Sequence, residues 1–299
     1  MTQTPAPGAA SRSPKDEPVV ARTIADLRSL VAGWRRAGLS VGLVPTMGAL
    51  HAGHLSLVAA SQDVCDRTIV SIFVNPKQFA PGEDLDTYPR TWDSDLAALR
   101  DVGAHAVFAP IPSEVYPAGH ATTVSVANLT DCLDGIARPG FFDGVATVVA
   151  KLFLQSGADK AFFGEKDFQQ FLVVRRMAAD LDIPIDVIGC PTVREADGLA
   201  LSSRNTYLSA AERAQAPRLH QEMMKAAHRI RSGDGDISAA CADAIAALSA
   251  EGFGPIDYIE MRDAETLAAL SGTDPVIRPA RLFAAARLGE TRLIDNIGV

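Results

Sequence analysis

Residues 41–54 read Val41-Gly-Leu-Val-Pro-Thr-Met-Gly-Ala-Leu-His-Ala-Gly-His54: an apolar run, a turn marked by Pro45 and Gly48, and two histidines three residues apart. Val41 to Val44 has the length and character of a buried strand, and His54 to about Val64 continues as a helix. Upstream, Leu27, Leu30, Val31 and Trp34 recur at three- and four-residue steps and predict a helix over Ile24 to Gly38. Downstream, Thr68 to Val74 reads as the next strand, which closes a βαβ unit. The alternation continues with a helix over Trp92 to Val102 and a strand over His105 to Ala109. A helix over Val145 to Gln155 and a strand over Lys160 to Phe163 come next, then a helix over Phe168 to Asp180 and a strand over Ile185 to Gly189. Strands alternating with helices imply a parallel sheet covered on both faces, so residues 22–191 are expected to form a Rossmann-like, doubly wound α/β domain.

From Thr192 the texture changes. Ala-rich helical stretches, Ala210 to Arg231 and Ile237 to Ala250, precede strands near Ile256 to Met261, Arg281 to Arg287 and Arg292 to Asp295. The short link from Leu288 to Thr291 predicts a hairpin, and residues 192–299 read as a smaller α+β domain. Residues 1–21, rich in Pro, Ala, Ser and Thr, hold too few large apolar side chains to offset ordering entropy and are expected to be a disordered tail.

The chain of 299 residues fits the soft prior of about two domains. With a hydrophobic fraction of 47% it can bury a real core, and a formal charge of -8 opposes nucleic-acid or anionic-membrane binding. Cys65, Cys132, Cys190 and Cys241 form no close pair, as expected of idle thiols in a reducing cytoplasm. No apolar run is long enough to span a bilayer.

In an open α/β sheet, ligands gather beyond the carboxyl ends of the strands. Four stretches fall at such ends or at the domain junction. In the first, Gly48 permits a tight turn, Gly53 lets a ligand approach the backbone, and His51 and His54 can point at one phosphate chain. In the second, Phe73-Val-Asn-Pro-Lys-Gln-Phe79, Asn75 and Gln78 offer neutral amides suited to a small polar acid. The loop Ala80 to Arg90 follows, with Gly82 and the acids Glu83, Asp84 and Asp86. It reads equally as a closing lid or as a solvated acidic loop. In the third, Phe162 to Gln170, Gly164 opens the turn, Lys166 offers a point charge for phosphate, and Asp167 either caps a helix or binds a ribose. In the fourth, Ser202, Ser203 and Arg204 make a compact anion clamp. Together they describe an enzyme that activates a second substrate with ATP. His105 and His120 have no partner at chemical spacing and read as structural, and His220 and His228 read as surface or interface residues.

The motifs PTMGALHAGHLSLV, FVNPKQF, FGEKDFQQ, VREADGLALSSRN and ARLGETRLIDN, in that order from Ile24 to Asn296, resemble the pantoate-β-alanine ligases. That family lies in the HIGH-type nucleotidyltransferase superfamily. The resemblance implies ATP-dependent joining of pantoate to β-alanine through pantoyl adenylate, with release of pyrophosphate and AMP. It implies that Met47, Gly48, Ala49, Leu50, His51, Ala52, Gly53 and His54 lie along ATP, with His54 as proton donor and His51 sharing the phosphate contacts. Nearby triphosphate is expected to favour their charged forms. Gly164, Glu165, Lys166 and Asp167 would meet the nucleotide, Lys166 on the phosphates, and Val193, Leu201, Ser202, Ser203 and Arg204 would complete the ATP site. Gln78 and Gln170 would grip pantoate from opposite walls, with Asn75 near the acid and Tyr88 on the lid. Magnesium is expected on the ATP phosphates with no protein ligand assigned, and a homodimer is expected. Phe141 and Asp143 depart from the family pattern, which usually reads Gly-His-Phe before Gly-Val. An AMP-retaining nucleotidyltransferase and an RNA-binding relative of the synthetases are the competing classes. The amide pair disfavours the first and the acidic charge the second.

Overall fold

The computed structural model describes residues 17–233, 236–272 and 279–299, so most of the expected tail lies outside the described residues. Its last part does not. Val19–Ala21 is a strand, β1, where apolar residues pair in parallel with Ala106 to Phe108. Three residues are too short a run for hydrophobic periodicity to mark, and it is the partner strand and the burial of Ala21 in the core that hold them.

Helix α1, Ile24–Arg36, starts where the Thr23 side chain accepts from the Asp26 N–H, and it buries Leu27 and Val31. Strand β2, Val41–Thr46, leads to α2, Ala52–Val64, and then to β3, Arg67–Ile72. Helix α3, Trp92–Val102, ends on Gly103 with φ 77°, and β4 is Ala106–Phe108. Two single-turn helices, α4 (Pro112–Val115) and α5 (Asp134–Ala137), come before α6, Phe141–Ser156. Strand β5, Lys160–Gly164, α7, Phe168–Asp180, and β6, Asp186–Cys190, complete the first sheet.

All pairings in that sheet are parallel, in the order β1-β4-β3-β2-β5-β6. From β2 the chain winds outward through β3 to β4 on one side, and β5 and β6 then wind outward on the other. The strand order therefore reverses between β2 and β5, which opens a crevice at their carboxyl ends. The sheet is covered on both faces by separate apolar clusters, one holding Leu43, Ile69, Phe108 and Phe153 and the other Val44, Val70, Leu99 and Phe162.

The second part departs from its sequence-based expectation in a divided helix and in a short fourth strand at Ala269–Leu270. The helix expected over Ala210 to Arg231 is two, α8 (Ala210–Gln215) and α9 (Arg218–Ser232), parted at Pro217, which has no N–H to continue the ladder. Helix α10, Ile237–Ala250, is capped by Asp236. Strands β7 (Phe253–Asp263), β8 (Ala269–Leu270), β9 (Ala280–Leu288) and β10 (Thr291–Gly298) form an antiparallel sheet in the order β10-β9-β7-β8. Gly289 and Glu290 make the β9–β10 hairpin, and Met223, Leu248, Met261 and Leu282 fill the core between sheet and helices.

One close approach in this framework bears on the crevice. Gly144, in the first turn of α6, lies against the turn Pro76–Gln78, so a Cβ there would fall on the Lys77 carbonyl. Gly144→Ala should therefore cost about 1–3 kcal/mol of stability as that turn is displaced. Urea unfolding checks this, and a wild-type midpoint would show that the approach is slack.

Candidate active site

The reversal between β2 and β5 sets which side chains meet. After Thr46 the chain turns through Gly48 at φ 85° and Ala49 at φ 51°. The turn is fixed from α3, because the buried Asp95 carboxylate accepts from the N–H groups of Ala49 and Leu50 at 2.9 and 2.8 Å. Helix α2 then opens with histidine in place of the usual short polar cap. His51 Nδ1 accepts from the Gly53 N–H at 3.2 Å, and His54 Nδ1 accepts from the His51 N–H at 3.4 Å. Their ring centroids lie 4.1 Å apart. With each Nδ1 used as an acceptor, a neutral imidazole keeps its proton on Nε2, and both residues line the cavity. Burial, then the charge of Lys166, lowers the His51 pKa to about 4. Burial, then His51 and Lys166, lowers that of His54 to about 3. Both rings are thus neutral N–H donors at neutral pH.

The cavity holds about 740 Å³ and runs from the crevice to the second sheet. Gly164 enters it from the end of β5, Lys166 and Asp167 from the turn that follows, and Gln170 from the first turn of α7. Gln78 faces them from the turn after β3. Its Oε1 accepts from Asn75 Nδ2 at 3.0 Å, so its own N–H groups point onward, where one meets Met47 Sδ at 3.2 Å. Val193, Leu201, Ser202, Ser203 and Arg204 close the side toward the second sheet, with Ser203 Oγ donating to the Ala49 carbonyl at 3.0 Å. Tyr88 lines the loop side. The arrangement can bind a long polyanion along its histidine-lysine wall and a small polar acid between the amides. Among the described residues no group of three or more His, Cys, Asp or Glu is placed to hold a metal ion, and no helix is long and apolar enough to cross a membrane.

Several expected site residues stand outside the cavity lining. The N–H groups of Ala49 and Leu50 go to Asp95 and that of Gly48 to Thr46 Oγ1, and Ala52 is exposed at the start of α2. Glu165 turns away to pair with Arg281 at 3.2 Å. Asn75 is 1% exposed and works behind Gln78: Tyr116 Oη donates to its Oδ1 at 2.7 Å, and it donates in turn to the Gly144 carbonyl at 3.1 Å. His220, expected at the surface, lines the cavity with Nδ1 3.3 Å from the buried Asp295 carboxylate. Its position on α9 looked ordinary because nothing local to that helix marks what β10 brings to it. His105 is structural as expected, accepting from the Thr68 N–H between β3 and β4.

Two acids of the loop Ala80 to Arg90, Glu83 and Asp84, find partners that the sequence did not mark. Asp84 holds Arg204 through two contacts of 2.9 Å, and Glu83 holds Arg138 at 2.7 and 2.8 Å. Burial alone would raise the Asp84 pKa, but the Arg204 guanidinium outweighs it and holds the carboxyl below the usual range. Phe141 lies under the Arg138 guanidinium at 3.8 Å from its ring centre.

The neutral histidines tie stability to pH. Both pKa values fall below the ordinary 6.5, so their contribution is whole above about pH 6.5 and is lost as pH falls toward 4 and 3. His54→Gln should flatten the loss of stability between pH 7 and pH 5 by at most about 2 kcal/mol. Urea midpoints across that range measure it, and an unaltered acid limb would clear His54 of the effect.

Residues 19–298 match the family model described as pantoate-beta-alanine ligase. The chain is 57% identical to the pantothenate synthetase of Ruegeria pomeroyi over 94% of its own length and 97% of that protein's. It is 55% identical to that of Caulobacter vibrioides, covering 94% and 99%. Among solved structures, pantothenate synthetase from Thermus thermophilus superposes with a TM-score of 0.85 at 46% identity, covering 93% of this chain and 98% of that one. The pantoate-beta-alanine ligase of Francisella tularensis, complexed with beta-gamma ATP and beta-alanine, gives 0.75 at 31% identity, covering 94% and 97%. The doubly wound parallel sheet with its smaller antiparallel companion is the architecture of these enzymes, and the chain belongs to the pantoate-beta-alanine ligase family.

Proposed function

We propose that the cavity binds ATP, pantoate and β-alanine and joins the two acids by way of pantoyl adenylate. The observation that carries this is the meeting of His51, His54, Lys166 and the Ser202-Ser203-Arg204 clamp in the same cavity as the paired amides of Gln78 and Gln170. A carboxylate does not react with an amine, so the acid must first become a mixed anhydride. A pantoate carboxylate oxygen attacks the α-phosphorus and pyrophosphate leaves. The amine of β-alanine then attacks the acyl carbon, loses a proton, and AMP leaves. Gln78 and Gln170 hold the acid with neutral N–H donors, so its carboxylate keeps the charge that makes it a nucleophile. A lysine there would blunt it.

The imidazole Nε2–H groups and Lys166 would stabilise charge growing on the phosphate oxygens. The low pKa of His54 supports hydrogen-bond donation by a neutral ring over full proton transfer, until the triphosphate itself draws a proton onto it. ATP would enter as its magnesium complex, and the ion would offset part of the phosphate charge. Asp84, Asp86 and Asp167 are carboxylates of the lining, of which Asp84 is already engaged by Arg204. A homodimer in a reducing cytoplasm belongs to the same reading, and four free, buried cysteines support the reducing compartment.

The direct test follows AMP release with ATP, magnesium, pantoate and β-alanine, omitting each in turn. All four should be needed, and His54→Ala should slow adenylate formation about 10²- to 10³-fold with ATP binding largely kept. AMP release indifferent to pantoate would sink the assignment. The bidentate Asp84–Arg204 pair engages Nε and Nη2 of the guanidinium and competes with phosphate for the same charge, so Asp84→Asn should lower the KM for ATP several-fold. An unchanged or higher KM would show that Asp84 does not compete with the nucleotide.

A further inference from the structure

Asn296, near the end of β10, is 2% exposed, and its side chain is fully committed. Nδ2 donates to the carbonyls of Glu165 and Lys166, each at 2.8 Å, while Oδ1 accepts from Arg281 Nε at 2.7 Å. That last contact settles which way the amide faces, since a guanidinium only donates and backbone carbonyls only accept. Arg281 also reaches the Glu165 carboxylate at 3.2 Å and lies over the Phe168 ring at 4.0 Å. The three-residue turn after β5 belongs to the parallel sheet, yet the antiparallel sheet grips it twice, once by backbone and once by the Glu165 side chain. Lys166 is the lysine in the cavity lining, and its long flexible stem makes the placement of its ammonium depend on where its backbone is fixed.

We infer that Asn296 is a positioning residue for adenylate formation: by holding the two successive carbonyls at Glu165 and Lys166, it sets the point from which the Lys166 side chain enters the cavity. The inference rests on the assignment of Lys166 to the ATP phosphates made above. A misplacement of about 1 Å in such a group can cost as much as 10²-fold in rate. The cost falls on the step in which phosphate charge develops. Transfer of the pantoyl group to the amine expels AMP after pyrophosphate has gone, so charge grows there on the one remaining phosphate alone and the step should depend on this placement far less.

Asn296→Asp keeps the shape and the Arg281 contact but replaces both N–H donors with an acceptor facing two carbonyls. Pantoate-dependent exchange of pyrophosphate into ATP should fall about 10- to 100-fold, while conversion of supplied pantoyl adenylate and β-alanine to product stays within about twofold. A general loosening of the joint between the sheets would lower both. Arg281→Gln, a milder change that frees the amide and the Glu165 carboxylate, should show the same split in smaller degree and serves if the first variant does not fold. The decisive measurement is the double variant with Lys166→Ala. If Asn296 acts through Lys166, Asn296→Asp adds little to the exchange defect in that background, whereas an independent, multiplicative loss overturns the inference. Lys166→Ala that leaves exchange intact would instead overturn the phosphate assignment itself, so the two failures are told apart.

Discussion

The reversal of strand order between β2 and β5 is the constraint from which the site follows. A right-handed crossover carries the chain from each strand over one face of the sheet, so starting at β2 and winding outward covers one side, and the other side must begin again at β5. The two connections leave the sheet in opposite directions and cannot fill the space between their first residues. Beyond β2 that space receives His51 and His54; beyond β5 it receives Lys166 and Asp167. Residues more than a hundred positions apart therefore share one wall by topology alone, before any side chain packs.

Burial then fixes the chemical state of what topology assembles. An exposed pair of histidines would be partly charged at neutral pH, and their repulsion beside Lys166 would be screened by water. Taken out of water, the charged forms are disfavoured first by lost solvation and then by Lys166. The helix start settles the tautomer, because each Nδ1 accepts a backbone N–H that would otherwise be left over at the first turn of α2. One local device so serves two ends: it caps the helix and it leaves Nε2–H for the ligand. A serine in place of His51 would cap as well and present nothing.

Much of this was legible in the residues. The βαβ alternation and the exact spans of α3, α7 and α10 follow from apolar spacing with clear stops, and the strand-to-helix junctions identified the walls of the cavity. What was not legible has a common physical form. β1 is held against β4, and its three residues carry no pattern of their own. His220 and Asp295 face the cavity because α9 and β10 pack together, and neither stretch shows it alone. Asn75, read as a ligand for the acid, is one layer behind. The sequence cannot distinguish an amide that binds from one that orients its neighbour, because the two differ only in which way Gln78 and Tyr116 lie.

The loop Ala80 to Arg90 had two equal readings, and its adjacent acids decide between them. A solvated acidic loop would spread its carboxylates into water. Here Glu83 and Asp84 each take a separate arginine, Arg138 from the residues leading into α6 and Arg204 from the segment leading to α8. Both pairs are bidentate and partly shielded, a geometry in which an arginine-carboxylate contact outlasts the screening that erases exposed ones. The loop is thus clamped across the cavity mouth by one anchor on each side. The two anchors differ in what can replace them. Arg138 is stacked on Phe141, while Arg204 follows directly on Ser202 and Ser203, where a polyphosphate would offer more charge than one carboxylate. On the proposed reading of that wall, an anion bound there would compete for the anchor at Asp84 and not for the one at Glu83.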